Sequence, residues 1–167
     1  MTGPRSRPDP KPLLAEARAA AALPNQPLAL YRALDRALGQ AVGHKLFTIM
    51  VLHPDGTAER IYSNQPVAYP VAGRKIMTAT PWGEYVLKGK RPYLGRTPAD
   101  IRWAFYDHEL IAKLGCGSVI NLLVMQGDAI VGTVNLLHEA LWYDERDLEI
   151  GAPFAALLAP ALLKHRG

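Results

Sequence analysis

Two long apolar runs joined by a short turn constrain the fold of this chain more than any other feature. The first run reads SVINLLVMQ over residues 118–126, and the second reads AIVGTVNLLH over residues 129–138. Both are rich in Val, Ile and Leu, and Gly127-Asp128 between them supplies the permissive backbone that a tight reversal requires. Neither run alternates apolar with polar residues, so we expect a β-hairpin covered on both faces. Gly132 leaves a notch in the second run, for either a packed side chain or the close approach of a backbone or ligand.

Length and composition indicate one domain of the soluble globular class. The 167 residues are 49% hydrophobic and 20% charged, which is ordinary for such a domain. Glu16 and Arg18 interrupt the apolar stretch over residues 13–23, so it resembles neither a membrane span of about 20 residues nor a signal peptide. The single cysteine, Cys116, excludes an intramolecular disulfide and any site built from several thiolates. We therefore expect a cytoplasmic protein with no membrane partner.

The positive charge of the chain does not indicate a nucleic-acid-binding protein. The formal net charge is +4, and half of it lies in the first twelve residues, which hold Arg5, Arg7 and Lys11 against Asp9. Nucleic-acid-binding domains present a clustered basic face or a known motif. Beyond those residues the sequence has one short basic cluster, formed by Lys88, Lys90 and Arg91. We therefore expect no nucleic-acid partner.

The chain divides into a tail, a helical extension and one folded domain. Residues 1–12 contain four prolines and almost no apolar side chains, a composition that cannot repay the entropy of folding, so we expect a disordered tail. Residues 13–26 are predicted to be a helical extension, whose Ala-rich helix over residues 13–23 stops at Pro24. The folded domain covers residues 27–167, and it opens with an amphipathic helix whose apolar stripe is Leu30, Leu34, Leu38 and Ala41.

A second hairpin and an irregular insert follow this helix. Residues 45–53 and 57–63 are predicted strands on either side of a Pro-Asp-Gly turn. The regular pattern then breaks over residues 64–117, which we call the insert. Two Thr-Pro pairs in the insert, at residues 80–81 and 97–98, are typical helix starts, because threonine caps the helix and proline fits its first position.

The last segment, residues 144–164, is predicted to be helical with two apolar faces. Leu148 and Leu162 lie on one face, and Ile150 and Phe154 lie on the other. A helix that covers one side of a sheet needs only one apolar face, so the second face suggests a partner helix from another copy of the chain. We therefore predict a homodimer formed through the terminal helices.

The order of these elements resembles that of a GAF domain: helix, strand hairpin, irregular helical insert, strand hairpin, helix. The resemblance rests on the Leu114-Gly115 step at the end of the insert, the apolar-glycine-small signature around Gly132, and the acidic start of the last helix at residues 144–148. It covers residues 27–163. It implies an α+β fold of the GAF and PAS type, in which a central antiparallel sheet carries the terminal helices on one face and the irregular helical insert over a pocket on the other.

The resemblance also implies a class of function. GAF domains typically bind small molecules in that pocket and transmit their state to an output domain. The sequence carries no kinase, cyclase or helix-turn-helix signature, so we expect the signal to pass through dimer geometry or through a separate output protein. A sensory or regulatory domain is therefore favoured, with ligand and cofactor left open. The alternatives are an interaction module with a vestigial pocket and an unrecognised small-molecule enzyme.

The reactive side chains do not favour the enzyme. Some GAF-like proteins reduce free methionine sulfoxide with a nucleophilic cysteine and resolving cysteines, a cycle that needs a second thiol. Cys116 stands alone, which argues against that cycle. The five histidines form no cluster in the sequence, so no metal site is predicted. A triad of Ser118, His138 and Asp107 lacks a nucleophile-elbow motif around the serine.

The insert supplies the best candidates for a ligand pocket, because six of the thirteen aromatic side chains lie between residues 82 and 106, with polar residues among them. Such walls are typical of small-molecule pockets, although the same rings would also seal the sheet. We expect a small ligand that is anionic or aromatic. Arg96 or Arg102 would bind an anionic group of such a ligand through paired hydrogen bonds. The sequence leaves open which sheet face carries Asn121 and Asn135. The complete predicted site is Trp82, Tyr85, Arg96, Arg102, Trp103, Tyr106, Asp107, His108, Asn121 and Asn135.

Overall fold

A six-stranded antiparallel sheet lies at the centre of the part of the chain that the structure, a computed structural model, describes: residues 5–167. Its strands are β1 (Leu46–Leu52), β2 (Thr57–Ser63), β3 (Lys75–Ile76), β4 (Tyr93–Gly95), β5 (Ser118–Gln126) and β6 (Ala129–His138). They lie in the order β3-β2-β1-β6-β5-β4, and each neighbouring pair is antiparallel. The two predicted hairpins are confirmed, and β5 and β6 coincide with the two apolar runs. The predicted α+β fold with a central antiparallel sheet is confirmed.

Helices cover both faces of the sheet. They are α1 (Pro10–Ala20), α2 (Leu28–Ala41), α3 (Pro81–Gly83), a π-helical turn (Glu84–Lys88), α4 (Pro98–Ala104), α5 (His108–Lys113), α6 (Glu145–Ala156) and α7 (Ala159–Arg166). The terminal helices α1, α2, α6 and α7 pack on one face, and the helices of the insert pack on the other. Both predicted starts in the insert are confirmed, since the side chains of Thr80 and Thr97 accept backbone hydrogen bonds at the starts of α3 and α4.

The alternation of side chains along β1 separates the two layers of the core. Phe47, Ile49 and Val51 are fully buried in the cluster that includes the terminal helices. Thr48 and Met50 point to the opposite face, where they line a cavity beneath the insert. The terminal helices therefore complete a solid core, while the insert leaves space.

Gly132 lies where β6 passes close to both β1 and α7. A β-carbon at this position would lie 2.3 Å from the carbonyl oxygen of Met50 and 2.6 Å from Cδ1 of Leu162. A neighbouring backbone and a packed side chain of α7 therefore fill the notch together. They leave no space for a ligand at this point of the sheet.

The N-terminal segment differs from the predicted tail. α1 begins at Pro10, and the side chain of Asp9 caps it by accepting a backbone hydrogen bond. The guanidinium of Arg7 donates to both carboxylate oxygens of Asp147, at 2.6 and 2.8 Å. The disorder predicted for residues 1–12 therefore does not hold for the described part of that tail, because ion pairing and capping order a segment with few apolar side chains. Its first four residues lie outside the described residues.

The last segment forms two helices rather than one. Pro153 lies inside α6, and Pro160 lies in the first turn of α7, where a missing backbone N–H costs no helical hydrogen bond. None of the helices in the described range is both long enough and apolar enough to cross a membrane.

Candidate ligand pocket

A cavity lies between the sheet and the insert, on the face that the terminal helices leave free. Its volume is about 80 Å³, which is room for several water molecules. Side chains of β1, β2 and β6 form its floor, and residues between β2 and the end of α5 form its walls. The groups that carry its chemistry are Arg60, Tyr69, Lys75, Trp82, Asp107 and Asn135.

A row of hydrogen-bonded polar side chains crosses the floor of this cavity. The indole Nε1 of Trp82 donates to Oδ1 of Asn121 at 2.9 Å, and Nδ2 of Asn121 donates to Oδ1 of Asn135 at 2.7 Å. Nδ2 of Asn135 then donates to the hydroxyl of Thr48 at 3.1 Å. The three polar residues of the sheet are directly opposite one another on β1, β6 and β5, which places both asparagines on the face beneath the insert.

A charged cluster forms one wall of the cavity. The guanidinium of Arg60 lies over the ring of Tyr69, 3.8 Å from its centroid, and an Nη2 atom lies 3.8 Å from Oδ2 of Asp107. The Tyr69 hydroxyl donates to the same Oδ2 at 2.6 Å. Burial raises the pKa of Tyr69, so its hydroxyl remains a donor at neutral pH. Lys75 contacts the Tyr106 hydroxyl and adds a second cation to this wall.

Four of the ten residues that the sequence predicted for the site line the cavity: Trp82, Tyr106, Asp107 and Asn135. A fifth, Asn121, is fully buried directly behind the indole of Trp82. The structure thus places both asparagines beneath the insert, on the face that the sequence left open. Sequence reasoning did not select Arg60, Tyr69 or Lys75. Arg60 lies two residues after Ala58 on a predicted strand, so the two side chains share a face of the sheet. The alternation does not reveal whether that face is the one toward the ligand.

The other five predicted residues do not line the cavity: Tyr85, Arg96, Arg102, Trp103 and His108. The reason is clearest on α4, where Ile101 and Ala104 are buried and the intervening side chains are exposed. Trp103 is 47% exposed and stacks on Tyr93, with ring centroids 5.4 Å apart. The backbone N–H of Arg96 donates to Asp100 at the start of the same helix. Arg60 therefore stands at the cavity in place of the two predicted arginines.

The reactive side chains do not assemble into a catalytic group. Cys116 is buried, and burial raises the pKa of its thiol to about 11, so it is not a thiolate at neutral pH. The hydroxyl of Ser118 donates to a backbone carbonyl at 2.7 Å, and the ring of His138 stacks on Trp142 with centroids 3.7 Å apart. Asp107 instead belongs to the charged wall of the cavity. Within the described residues, no hydrogen bond joins the imidazole of His138 to Ser118 or to Asp107, because the Ser118 hydroxyl meets His138 only at its backbone carbonyl, at 3.4 Å.

Comparison with known proteins identifies the fold. Neither a protein-family model nor a curated protein sequence matches this chain. Solved structures match it over most of its length. The GAF domain of a phosphoenolpyruvate-protein phosphotransferase from Coxiella burnetii is 14% identical, with a TM-score of 0.71 over 93% of this chain and 93% of that one.

Two further matches carry different functions on the same architecture. The free methionine-R-sulfoxide reductase from Neisseria meningitidis, solved in complex with its substrate, is 16% identical, with a TM-score of 0.70 over 99% of this chain and 98% of that chain. The GAF domain of a two-component sensor histidine kinase from Bacillus halodurans is 13% identical, with a TM-score of 0.65 over 81% of this chain and 92% of that chain. The chain has the fold of GAF domains.

Proposed function

We propose that this domain binds a small anionic metabolite in the cavity beneath the insert and acts as a sensory or regulatory unit. The observation that carries the proposal is the charge of the cavity wall, where two cations, Arg60 and Lys75, accompany one carboxylate, Asp107. Arginine binds carboxylate and phosphate oxygens through paired, charge-assisted hydrogen bonds. Because Arg60 already stacks on Tyr69, its planar head is held in place before a ligand arrives.

The size and lining of the cavity restrict the ligand further. A volume of about 80 Å³ favours a compact metabolite over one as large as a tetrapyrrole. The side chains of Met50, Trp82, Phe105 and Leu137 supply apolar walls beside the charged one. A ligand with an anionic end and a short nonpolar or aromatic body would satisfy both parts of the lining.

Two observations favour this function over the alternatives. A vestigial pocket in an interaction module would be filled by its own aromatic side chains, whereas here the rings leave a cavity. A sulfoxide reductase needs an accessible thiolate, whereas Cys116 is a buried thiol with a raised pKa. The reductase from Neisseria meningitidis does bind its substrate on this fold, and small-molecule binding by this chain is consistent with that precedent.

The proposal is tested by measuring binding of paired compounds that differ only in charge. Small carboxylates and phosphate monoesters are compared with their neutral amides or alcohols by thermal shift and then by calorimetry. A ligand at a hundred times its dissociation constant stabilises the fold by about 2.7 kcal/mol. We expect Arg60→Gln to weaken binding of the anionic compound roughly tenfold or more, since it removes a charge-assisted hydrogen bond.

Arg102→Gln is the matched control, because it removes an exposed arginine of the insert that does not line the cavity. Its affinity for the anionic compound should equal that of the wild type. Wild-type affinity for the anionic compound in the Arg60→Gln variant would contradict the assignment of Arg60 to the ligand site. A larger loss of affinity in Arg102→Gln than in Arg60→Gln would also contradict it. If no anionic compound shifts the melting temperature, the proposed ligand class is wrong.

A further inference from the structure

Three potential metal ligands from distant parts of the sequence meet behind β2. Nε2 of His53 lies 2.8 Å from Oε1 of Glu59, and Nε2 of His165 lies 3.1 Å from the same oxygen. All three ligand atoms lie within 4.8 Å of one another. Ala58 and Arg60 on either side of Glu59 face the ligand cavity, so Glu59 points to the opposite face of the sheet, toward the terminal helices.

The hairpin between β1 and β2 holds two of these ligands in place. The backbone N–H of His53 donates to the carbonyl of Thr57 at 2.8 Å, and its own carbonyl accepts from the N–H of Gly56 at 3.0 Å. The side chain of His53 is only 2% exposed, so its ring is fixed by packing. The side chains of Glu59 and His165 are 27% and 36% exposed, which leaves the cluster open to solvent on one side.

We propose that His53, Glu59 and His165 bind a divalent transition-metal ion of the zinc class. Two imidazole nitrogens and one carboxylate oxygen are a donor set that suits zinc, whereas magnesium and calcium prefer oxygen donors throughout. In a tetrahedral zinc site with bonds of about 2.0–2.1 Å, ligand atoms lie about 3.3 Å apart. The two separations from Glu59, 2.8 and 3.1 Å, need to widen by only a few tenths of an ångström, and the two imidazole nitrogens lie within 4.8 Å of each other. Three protein ligands leave a coordination position for water.

The competing explanation is a hydrogen-bonded cluster without a metal. In that state each ring would present an Nε2–H to the shared oxygen of Glu59, and the carboxylate would accept from both. Metal binding replaces those two ring protons with the ion. The ion would then connect α7 to the hairpin whose second strand carries Arg60 of the ligand cavity. It would therefore stabilise the attachment of the last helix to the sheet.

Zinc titration of the full chain, purified without a polyhistidine tag and stripped with a chelator, tests this proposal. Calorimetry should give one zinc ion per chain, and zinc should raise the melting temperature. Cobalt(II) provides a spectroscopic probe, because ligation by the two imidazoles produces visible absorption bands. Loss of an outer-shell partner of a metal site already costs about 10–100-fold in affinity, so loss of a ligand in His165→Gln should weaken zinc binding at least tenfold.

Lys164→Gln is the matched control, because it changes the exposed neighbour of His165 on the same helix. It should bind zinc as tightly as the wild type and give the same cobalt spectrum. Glu59→Gln, which replaces the carboxylate with a neutral amide of equal size, should weaken zinc binding and alter the cobalt bands. The proposal is overturned if the wild type binds zinc no more tightly than His165→Gln, or if both give the same cobalt spectrum. That result would assign the three residues to a hydrogen-bonded cluster only.

Discussion

Buried amide groups on the sheet determine how the insert sits over it. Burying an amide is unfavourable unless its hydrogen bonds are made inside the protein. Asn121 is completely buried, and it satisfies its oxygen with the indole of Trp82 and its nitrogen with Asn135. The indole therefore has a specific polar partner as well as apolar contacts, which fixes one position for α3 above the floor of the cavity.

We predict that Trp82→Phe destabilises the fold by about 1–3 kcal/mol, because it leaves the Asn121 oxygen buried without a donor. Urea unfolding followed by circular dichroism gives the free energy directly. The control is Trp103→Phe, which makes the same change in the same insert at a side chain that is 47% exposed. Its effect should stay within about 0.5 kcal/mol. An equal cost for both variants would show that the polar row does not anchor the insert.

At the level of whole elements, hydrophobic patterns predicted the backbone more completely than the direction of side chains. The strands β5 and β6 begin and end at the same residues as the two apolar runs. A strand that is buried on both faces is apolar along nearly its whole length, so the apolar run marks its bounds. Arg60 was missed because alternation along β2 does not reveal which face the insert covers. His53 and His165 were not associated, since only the packing of α7 against the sheet brings them together.

The N-terminal segment shows that composition alone does not predict which residues are ordered by ion pairs. Its prolines and its few apolar residues predict disorder, yet Arg7 and Arg5 both donate to Asp147, whose side chain is fully buried. Asp147 also accepts the backbone N–H of Asp144 in the capping box that starts α6. A buried carboxylate needs such partners. The segment before α1 is therefore part of the support for the last helical layer.

We predict that Arg7→Gln lowers the free energy of unfolding by about 1.5–3 kcal/mol, because it removes charge-assisted hydrogen bonds from a buried carboxylate. Arg146→Gln serves as the control. Its guanidinium also donates to an aspartate of this cap, Asp144, but its side chain is 49% exposed, so the loss should be within about 0.5 kcal/mol. Denaturant unfolding of both variants measures the difference. A cost for Arg7→Gln no larger than that for Arg146→Gln would mean that the segment adds nothing to stability.

At the scale of the whole molecule, the terminal helices bear on the predicted homodimer. The second apolar face of the last segment is partly covered within the chain itself, since α1 packs against α2 and also contacts α6. What remains outward on α6 is a strip of small apolar residues, with Ala152, Pro153 and Ala156 all exposed. Small side chains allow two helices to approach closely. We therefore propose that this strip, rather than the whole second face, is the contact between two copies.

A double substitution on this strip tests the dimer. Ala152→Glu combined with Ala156→Glu places two like charges of each copy against those of the other, so the variant should be monomeric. The wild type should show twice the monomer mass by light scattering at micromolar concentration. Ala99→Glu, an exposed alanine on α4 at the opposite face of the sheet, should leave the dimer intact. A monomer mass for the wild type at that concentration would exclude the dimer.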